Sequence, residues 1–393
     1  MTAPKVAPRH LAALDGLRGF AALVVVLRHS VGAFDVSPAT MQAIMLSPLV
    51  LLQNAVGAVQ LFFVLSGFVL AGSVERNPAW RALPQYFVRR LFRIHPPYVF
   101  AMLVAWGASF FYADFPADVS NVLFRKLASV HITPAQLGGS LLFPGTAHYQ
   151  FVVGWSLEVE LIFSLLLPAM LWLARRVHWL ALIALSGAAL LVGTEGHRVL
   201  KFALDFSLGI ALYLERDGLR RLLGRLRGLR AAAFIAAGVV LFHLPWFLGW
   251  QPKARGLPDS IVVMGFGAAL LVAAAAFHPA SARFFSLRPL HELGRVSYSL
   301  YLLHYPIVVL VAGLVVRPDS GAGDVFCLIA LVLGAALPLS WAMYHAVERP
   351  AIAAGNALVR ALAGRLHQEA LRSRLLDDDD AGVGGAGPPR AGH

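Results

Sequence analysis

Repeated apolar runs of bilayer-crossing length constrain this chain more than any other feature. They are continuous rather than alternating with period two, which favours helical spans over a barrel. Ten spans are expected, at about 17–35, 56–73, 96–113, 151–173, 178–193, 199–214, 231–249, 259–277, 296–316 and 324–346. The composition agrees: the 393 residues are 58% hydrophobic and 14% charged, where a soluble domain carries about 25% charge. The fold class expected is an all-α, polytopic helical membrane protein.

The net charge of +12 does not point to nucleic acid, because the basic residues sit in short segments between apolar runs. With the N-terminus inside, 25 of the 33 lysines and arginines fall on the cytoplasmic side, seven fall outside, and Arg28 lies within the first span. That asymmetry predicts an even number of spans and cytoplasmic termini. Arg28 and His29 interrupt any signal-peptide cleavage region, so the first run is expected to be retained. One cysteine, Cys327, excludes an internal disulfide framework. Four lysines against 29 arginines, with abundant alanine and glycine, suggest a bacterial source and hence the inner membrane.

Residues 1–350 form the expected membrane domain, and 351–393 a cytoplasmic tail. The tail is first basic and amphipathic, then acidic (Asp377 to Asp380) and Gly/Pro-rich, which reads as disordered. The longest connection, about 114–150, lies outside and is a candidate lid.

Four polar patches interrupt the apolar spans, where ionisable groups are costly and are functional candidates by default. Arg18 and His29 are eleven residues apart on one helical face, about 16 Å along the axis. His29 lies about 18 Å into a core of about 30 Å. It is a candidate general base; hydrogen bonding to a neighbouring helix is the structural alternative. Arg28 beside it calls for a polar cavity. Trp155-Ser156-Leu157-Glu158-Val159-Glu160 opens the fourth span. Its two carboxylates are 200° apart, so they cannot share a cavity. Glu160 is the better candidate to orient His29 or to pair with an arginine, whereas Glu158 suits the helix N-terminus.

Arg89, Arg90 and Arg93 cluster at i,i+4 and i,i+3 spacing, fit to grip phosphates or simply to hold topology. Ser297, Tyr301 and His304 share a face at i, i+4, i+7, before Pro306, and predict a lined cavity rather than plain interhelical bonding. A fifth patch, Gln60 to Phe68, reads as close packing around Ser66-Gly67, and Glu348-Arg349-Pro350 as a helix stop with an ion pair. No P-loop, zinc spacing or nucleophile elbow occurs, so no metal or permanently bound cofactor is expected.

Together these patches resemble the acyltransferase-3 family of integral membrane O-acyltransferases. The resemblance rests on Arg18-(ten residues)-His29, Phe62-Phe63-x-x-Ser66-Gly67-Phe68, Arg89-Arg90-x-x-Arg93-Ile94-x-Pro96, Trp155-Ser156-Leu157-x-x-Glu160 and Ser297-Tyr298-x-x-Tyr301-x-x-His304-x-Pro306. It implies transfer of an acyl group, commonly acetyl from acetyl-CoA as co-substrate, to a hydroxyl of a carbohydrate, glycolipid or other small acceptor. On that reading His29 and Glu160 are catalytic, and Arg18, Arg89, Arg90 and Arg93 bind acyl-CoA. Arg28, Trp155, Ser297, Tyr301 and His304 then contact substrate. Ten spans is the family's usual number. Some members carry a C-terminal esterase-like domain; none is legible after Pro350, so an internal two-step relay is not expected. A proton-coupled transporter or flippase is the alternative from another class, although no repeated halves are seen.

Overall fold

The computed structural model describes residues 9–76, 82–112, 114–115, 118, 120–129, 132–142, 151–192, 198–248 and 258–364. These are helical almost throughout. The one strand-like contact is an isolated bridge between Phe34 and Ser120. In order the helices are α1 (Arg9–Val31), α2 (Pro38–Met45), α3 (Ala55–Glu75), α4 (Leu83–Ser109), α5 (Val122–Ala128), α6 (Pro134–Leu142), α7 (Gly154–Val177) and α8 (Trp179–Val192). There follow α9 (Ala203–Leu214), α10 (Arg216–Arg225), α11 (Gly228–Phe247), α12 (Pro258–Phe277), α13 (Pro279–Phe285), α14 (Arg288–Val315) and α15 (Ala322–Met343).

The protein is a polytopic helical membrane protein. Each of the ten expected segments contains a helix, and among the described residues six are long and apolar enough to cross a bilayer. α1 and α4 are long enough but carry arginines, and α8 and α9 are only 14 and 12 residues long.

Small residues let the central helices approach closely, as expected where apolar burial alone cannot drive association in lipid. α1 lies along α14: a side chain at Gly294 would place its Cβ 2.1 Å from the Asp15 carbonyl oxygen. α3 meets α9 in the same way. A Cβ at Gly209 would sit 2.2 Å from the Val64 carbonyl oxygen and 2.9 Å from the Gly67 Cα. The close packing expected at Ser66-Gly67 is therefore an α3–α9 crossing. Gly209→Leu must push these backbones apart at a cost of at least about 1–3 kcal/mol. A clear drop in the thermal midpoint of detergent-solubilised protein is expected.

At the end of α15 the helix does not stop. A π turn over Tyr344–Glu348 leads into further helix that passes Pro350 and reaches residue 364. Proline removes one backbone donor and crowds the preceding turn; the wider π turn directly before it accommodates both. Glu348 is consequently not ion-paired with Arg349. It is buried, and Ser299 Oγ of α14 donates to its Oε2 at 2.8 Å. The acidic and Gly/Pro-rich part of the tail lies outside the described residues.

The described part of the 114–150 connection packs over one end of α1 and α14. Asn121 N donates to the Ala33 carbonyl at 3.2 Å, and Phe124 stacks edge-on against Tyr305. Residues 143–150, with Pro144, Gly145, His148 and Tyr149, lie outside the description.

Candidate active site

A cavity of about 560 Å³ opens among α1, α3, α4, α7, α14 and the helix after α15. It falls within the range of about 300–1,000 Å³ typical of small-molecule sites. Six arginines line it (Arg18, Arg76, Arg89, Arg90, Arg93 and Arg295) against three carboxylates, Asp15, Glu160 and Glu348. All six come from segments that the charge count places on one side of the membrane.

The arginines divide by partner. Arg18 is held on three sides: Nε donates to Ser297 Oγ at 2.9 Å, and Nη2 donates to the Gly294 carbonyl at 3.0 Å and pairs with Asp15 Oδ1 at 2.9 Å. Arg90 donates from Nε to Ser164 Oγ at 2.8 Å and from Nη2 to Glu160 Oε1. Tyr86 OH reaches the Ser164 carbonyl at 2.9 Å and braces this corner. Arg93 has no hydrogen bond among the described residues, though it stands within electrostatic reach of Glu160 and Glu348. Arg89 is exposed at the rim. Arg295 pairs with Glu292 at 2.7 Å and lies over the Tyr344 ring. Three guanidinium groups are therefore held, while Arg89 and Arg93 keep donors available, a division suited to gripping phosphate oxygens.

The inner wall is Tyr301. It lines the cavity, and Phe62 lies edge-on to its ring. Its hydroxyl is 2.6 Å from Ser156 Oγ, which itself donates to the Val153 carbonyl at 2.8 Å. The serine proton is spent on that carbonyl, so the tyrosine is the donor between the two hydroxyls.

Behind Tyr301, outside the cavity lining, lies a pair of histidines. His29 Nδ1 is 2.8 Å from His304 Nε2, with the rings 11° from parallel. His304 Nδ1 is 2.7 Å from the Tyr301 carbonyl. A carbonyl can only accept, so His304 Nδ1 carries the hydrogen and its Nε2 presents a lone pair. His29 Nδ1 must then be the donor, which leaves His29 Nε2 as the unprotonated nitrogen. His304 is fully buried, whereas His29 and Arg28 are half-buried. The Arg28 guanidinium makes no hydrogen bond or ion pair with the described residues, though it acts electrostatically on His29.

The expected site residues thus separate into two groups. Arg18, Arg89, Arg90, Arg93, Glu160, Ser297 and Tyr301 gather in the cavity; His29, His304 and Arg28 lie beyond it. Of the two partners expected for Glu160 it has the arginine, while the orienting contact to His29 comes from His304. Trp155 packs against Phe202 and Phe63 and does not line the cavity. Ser164, which nothing in the sequence marks, joins the site through Arg90, and Glu348, expected as part of a helix stop, lines the cavity instead. A buried carboxylate on a helix that reads as ending there has no periodicity to reveal it.

The profile of an acyltransferase domain family, acyltransferase-3, matches residues 11–345. The chain belongs to this family. It is 26% identical over 379 residues to the O-acetyltransferase OatA of Staphylococcus aureus strain NCTC 8325 / PS 47, covering 87% of this chain and 57% of OatA. The chain thus spans little more than half the length of that relative. It is also 26% identical over 353 residues to BcsY of Komagataeibacter xylinus, provisionally named a membrane-bound transacylase, covering 86% of this chain and 81% of BcsY. A third relative, protein 2 in the picA locus of Rhizobium radiobacter, is 28% identical over 198 residues, 47% of this chain and 95% of that protein. No solved structure matches the chain. As an acyltransferase-3 protein the chain is a multi-pass membrane protein built around an acyltransferase domain, and the patches that carried the resemblance are the ones that build the cavity and the histidine pair.

Proposed function

We propose that this acyltransferase moves an acetyl group from acetyl-CoA to a hydroxyl of a carbohydrate or glycolipid, with His29 as the general base. The observation that carries the proposal is the chain of contacts from His29 Nδ1 through His304 to the Tyr301 carbonyl, directly behind an arginine-lined cavity, which in the neutral pair leaves Nε2 of His29 bare. The acetyl donor is supported by the likeness to an O-acetyltransferase.

On this reading both termini are cytoplasmic, the ten helical segments span the bacterial inner membrane, and the arginine cavity opens to the cytoplasm. Arg89 and Arg93 hold the phosphates of CoA, and Arg18 and Arg90 shape the pocket around them. The thioester reaches past Tyr301 toward the histidines. His29 Nε2 takes the acceptor's hydroxyl proton as that oxygen attacks the thioester carbonyl. The imidazolium so formed donates from Nδ1 to His304. Tyr301 OH and both nitrogens of His304 are already engaged, so Arg28 is the donor left to stabilise the oxyanion. Collapse of the tetrahedral intermediate breaks the C–S bond, and the departing thiolate takes the proton from His29 Nε2. Holding donor and acceptor together at one point supplies the other large part of the rate.

The test is CoA release by purified protein given acetyl-CoA and an extract of surface glycans and lipids, with acceptor mass followed by mass spectrometry. A gain of one acetyl mass on a hydroxyl-bearing acceptor is expected. Protein that binds acetyl-CoA yet transfers nothing to any fraction would overturn the proposal. Within the site, Arg93→Ala is expected to raise the KM for acetyl-CoA by about tenfold or more, since a charge-assisted bond of about 1.5–3 kcal/mol is lost, with kcat changed less. An unchanged KM would return Arg93 to a topological role.

A further inference from the structure

Away from the site, α10 and the start of α11 carry the densest basic surface in the described chain. Leu223 of α10 is buried, and the helix packs on α9 and α12. Its other face exposes Arg220, Arg221 and Arg225 together with Leu222, which is 60% exposed. The chain then turns at Gly228, whose φ of 50° lies in the left-handed region. That turn brings Arg227, Leu229 and Arg230 back beside α10. Arg221, Arg225, Arg227 and Arg230 line one open groove of about 830 Å³ with Leu222, Leu226 and Leu229. Leu229 is 86% exposed at the foot of α11, a helix apolar enough to cross the bilayer.

Orientation in the membrane accounts for the sign of these charges but not for their convergence. Among the described residues the four guanidinium groups have no ion pair or hydrogen bond, and no carboxylate lines the groove. Planar guanidinium forks match phosphate oxygens bidentately. Exposed leucines between them, at the foot of a helix apolar enough to cross a bilayer, offer a surface for a hydrocarbon chain. We infer that this groove is a binding site for an anionic phospholipid, with the phosphate held by Arg221, Arg225, Arg227 and Arg230 and an acyl chain lying over Leu222 and Leu229.

The test uses the full chain in detergent micelles, titrated with phosphatidylglycerol or with phosphatidylcholine of the same acyl chains, and read by native mass spectrometry. Phosphatidylglycerol is expected to form a discrete adduct at a concentration at least about tenfold below that for phosphatidylcholine. Arg225→Gln/Arg227→Gln/Arg230→Gln is expected to remove that preference. Equal binding of the two lipids by the wild type would overturn the inference. Displacement of the lipid by soluble glycerol phosphate at equimolar concentration would also overturn it, because the acyl chain would then contribute nothing. Arg225→Lys/Arg227→Lys/Arg230→Lys keeps the charges that set insertion while losing the guanidinium forks. It is expected to bind phosphatidylglycerol several-fold more weakly than the wild type; binding equal to the wild type would reduce the groove to unspecific charge and refute the site.

Discussion

His29→Ala leaves a protein that inserts and melts like the wild type but loses acyl transfer by about 10²–10⁴-fold, the contribution typical of a general base. The side chain removed is half-buried, and among the described residues its one hydrogen bond is to His304, so the fold has little to lose with it. The closest α1–α14 approach is instead at Gly19 and Gly294, and Gly19 is ten residues from His29 along α1. Two measurements check the prediction together: acetyl-CoA binding, expected to be unchanged because the arginine cavity ends at Tyr301, and steady-state transfer, expected to collapse in kcat. Retention of activity within about tenfold would remove His29 from the base role. Loss of acetyl-CoA binding along with transfer would instead place the ring in the donor site.

The same pair of residues shows what sequence alone could and could not give. The eleven-residue spacing puts Arg18 and His29 on one helical face, and both do look toward α14. Arg18 contacts Ser297 and Gly294, and His29 contacts His304, about two turns beyond Ser297 and nearly three beyond Gly294. Periodicity fixes the face and the depth of a side chain on its own helix. It says nothing about which neighbouring helix supplies a partner, because that depends on crossings set by residues elsewhere. Glu160 illustrates the gap. The sequence places it on a helix and offers it two partners, and the choice between them rests on where α4 passes α7. Glu348 illustrates a deeper one: a proline two residues on reads as a stop, and only a π turn converts that stop into a continuous helix that turns the carboxylate inward. Spans suffer least from this limit, since length and hydropathy are local properties. Even so, α9 is shorter than its apolar run suggests, because the run opens in a 3-10 turn over Arg198–Phe202.

His304 carries the second large effect, and its variants separate positioning from bulk packing. The ring is fully buried, with one nitrogen committed to the Tyr301 carbonyl and the other accepting from His29. His304→Ala removes the acceptor that holds His29 Nδ1 as the protonated nitrogen. The imidazole is then free to adopt the other tautomer, with Nε2 protonated and unable to take the hydroxyl proton, and the imidazolium of the transition state loses its partner. A wrong tautomer alone can cost a histidine base several orders of magnitude. Here bulk solvent or Arg28 cannot replace the lost acceptor geometry, so a fall in kcat of about 10²-fold or more is expected, with KM for acetyl-CoA nearly constant. His304→Gln retains a carbonyl oxygen that can accept from His29 Nδ1 and an amide that can donate, and is expected to recover part of the loss. A role in packing alone predicts the reverse pattern: both variants lower the melting temperature and scale activity with the amount of folded protein. Nitrogen-15 spectra of histidine-labelled protein give a readout independent of turnover. The wild type should show His29 with Nδ1 protonated and Nε2 bare, His304→Gln should keep that signature, and His304→Ala should lose it. Activity restored in His304→Gln without that tautomer would break the link between the dyad geometry and the base.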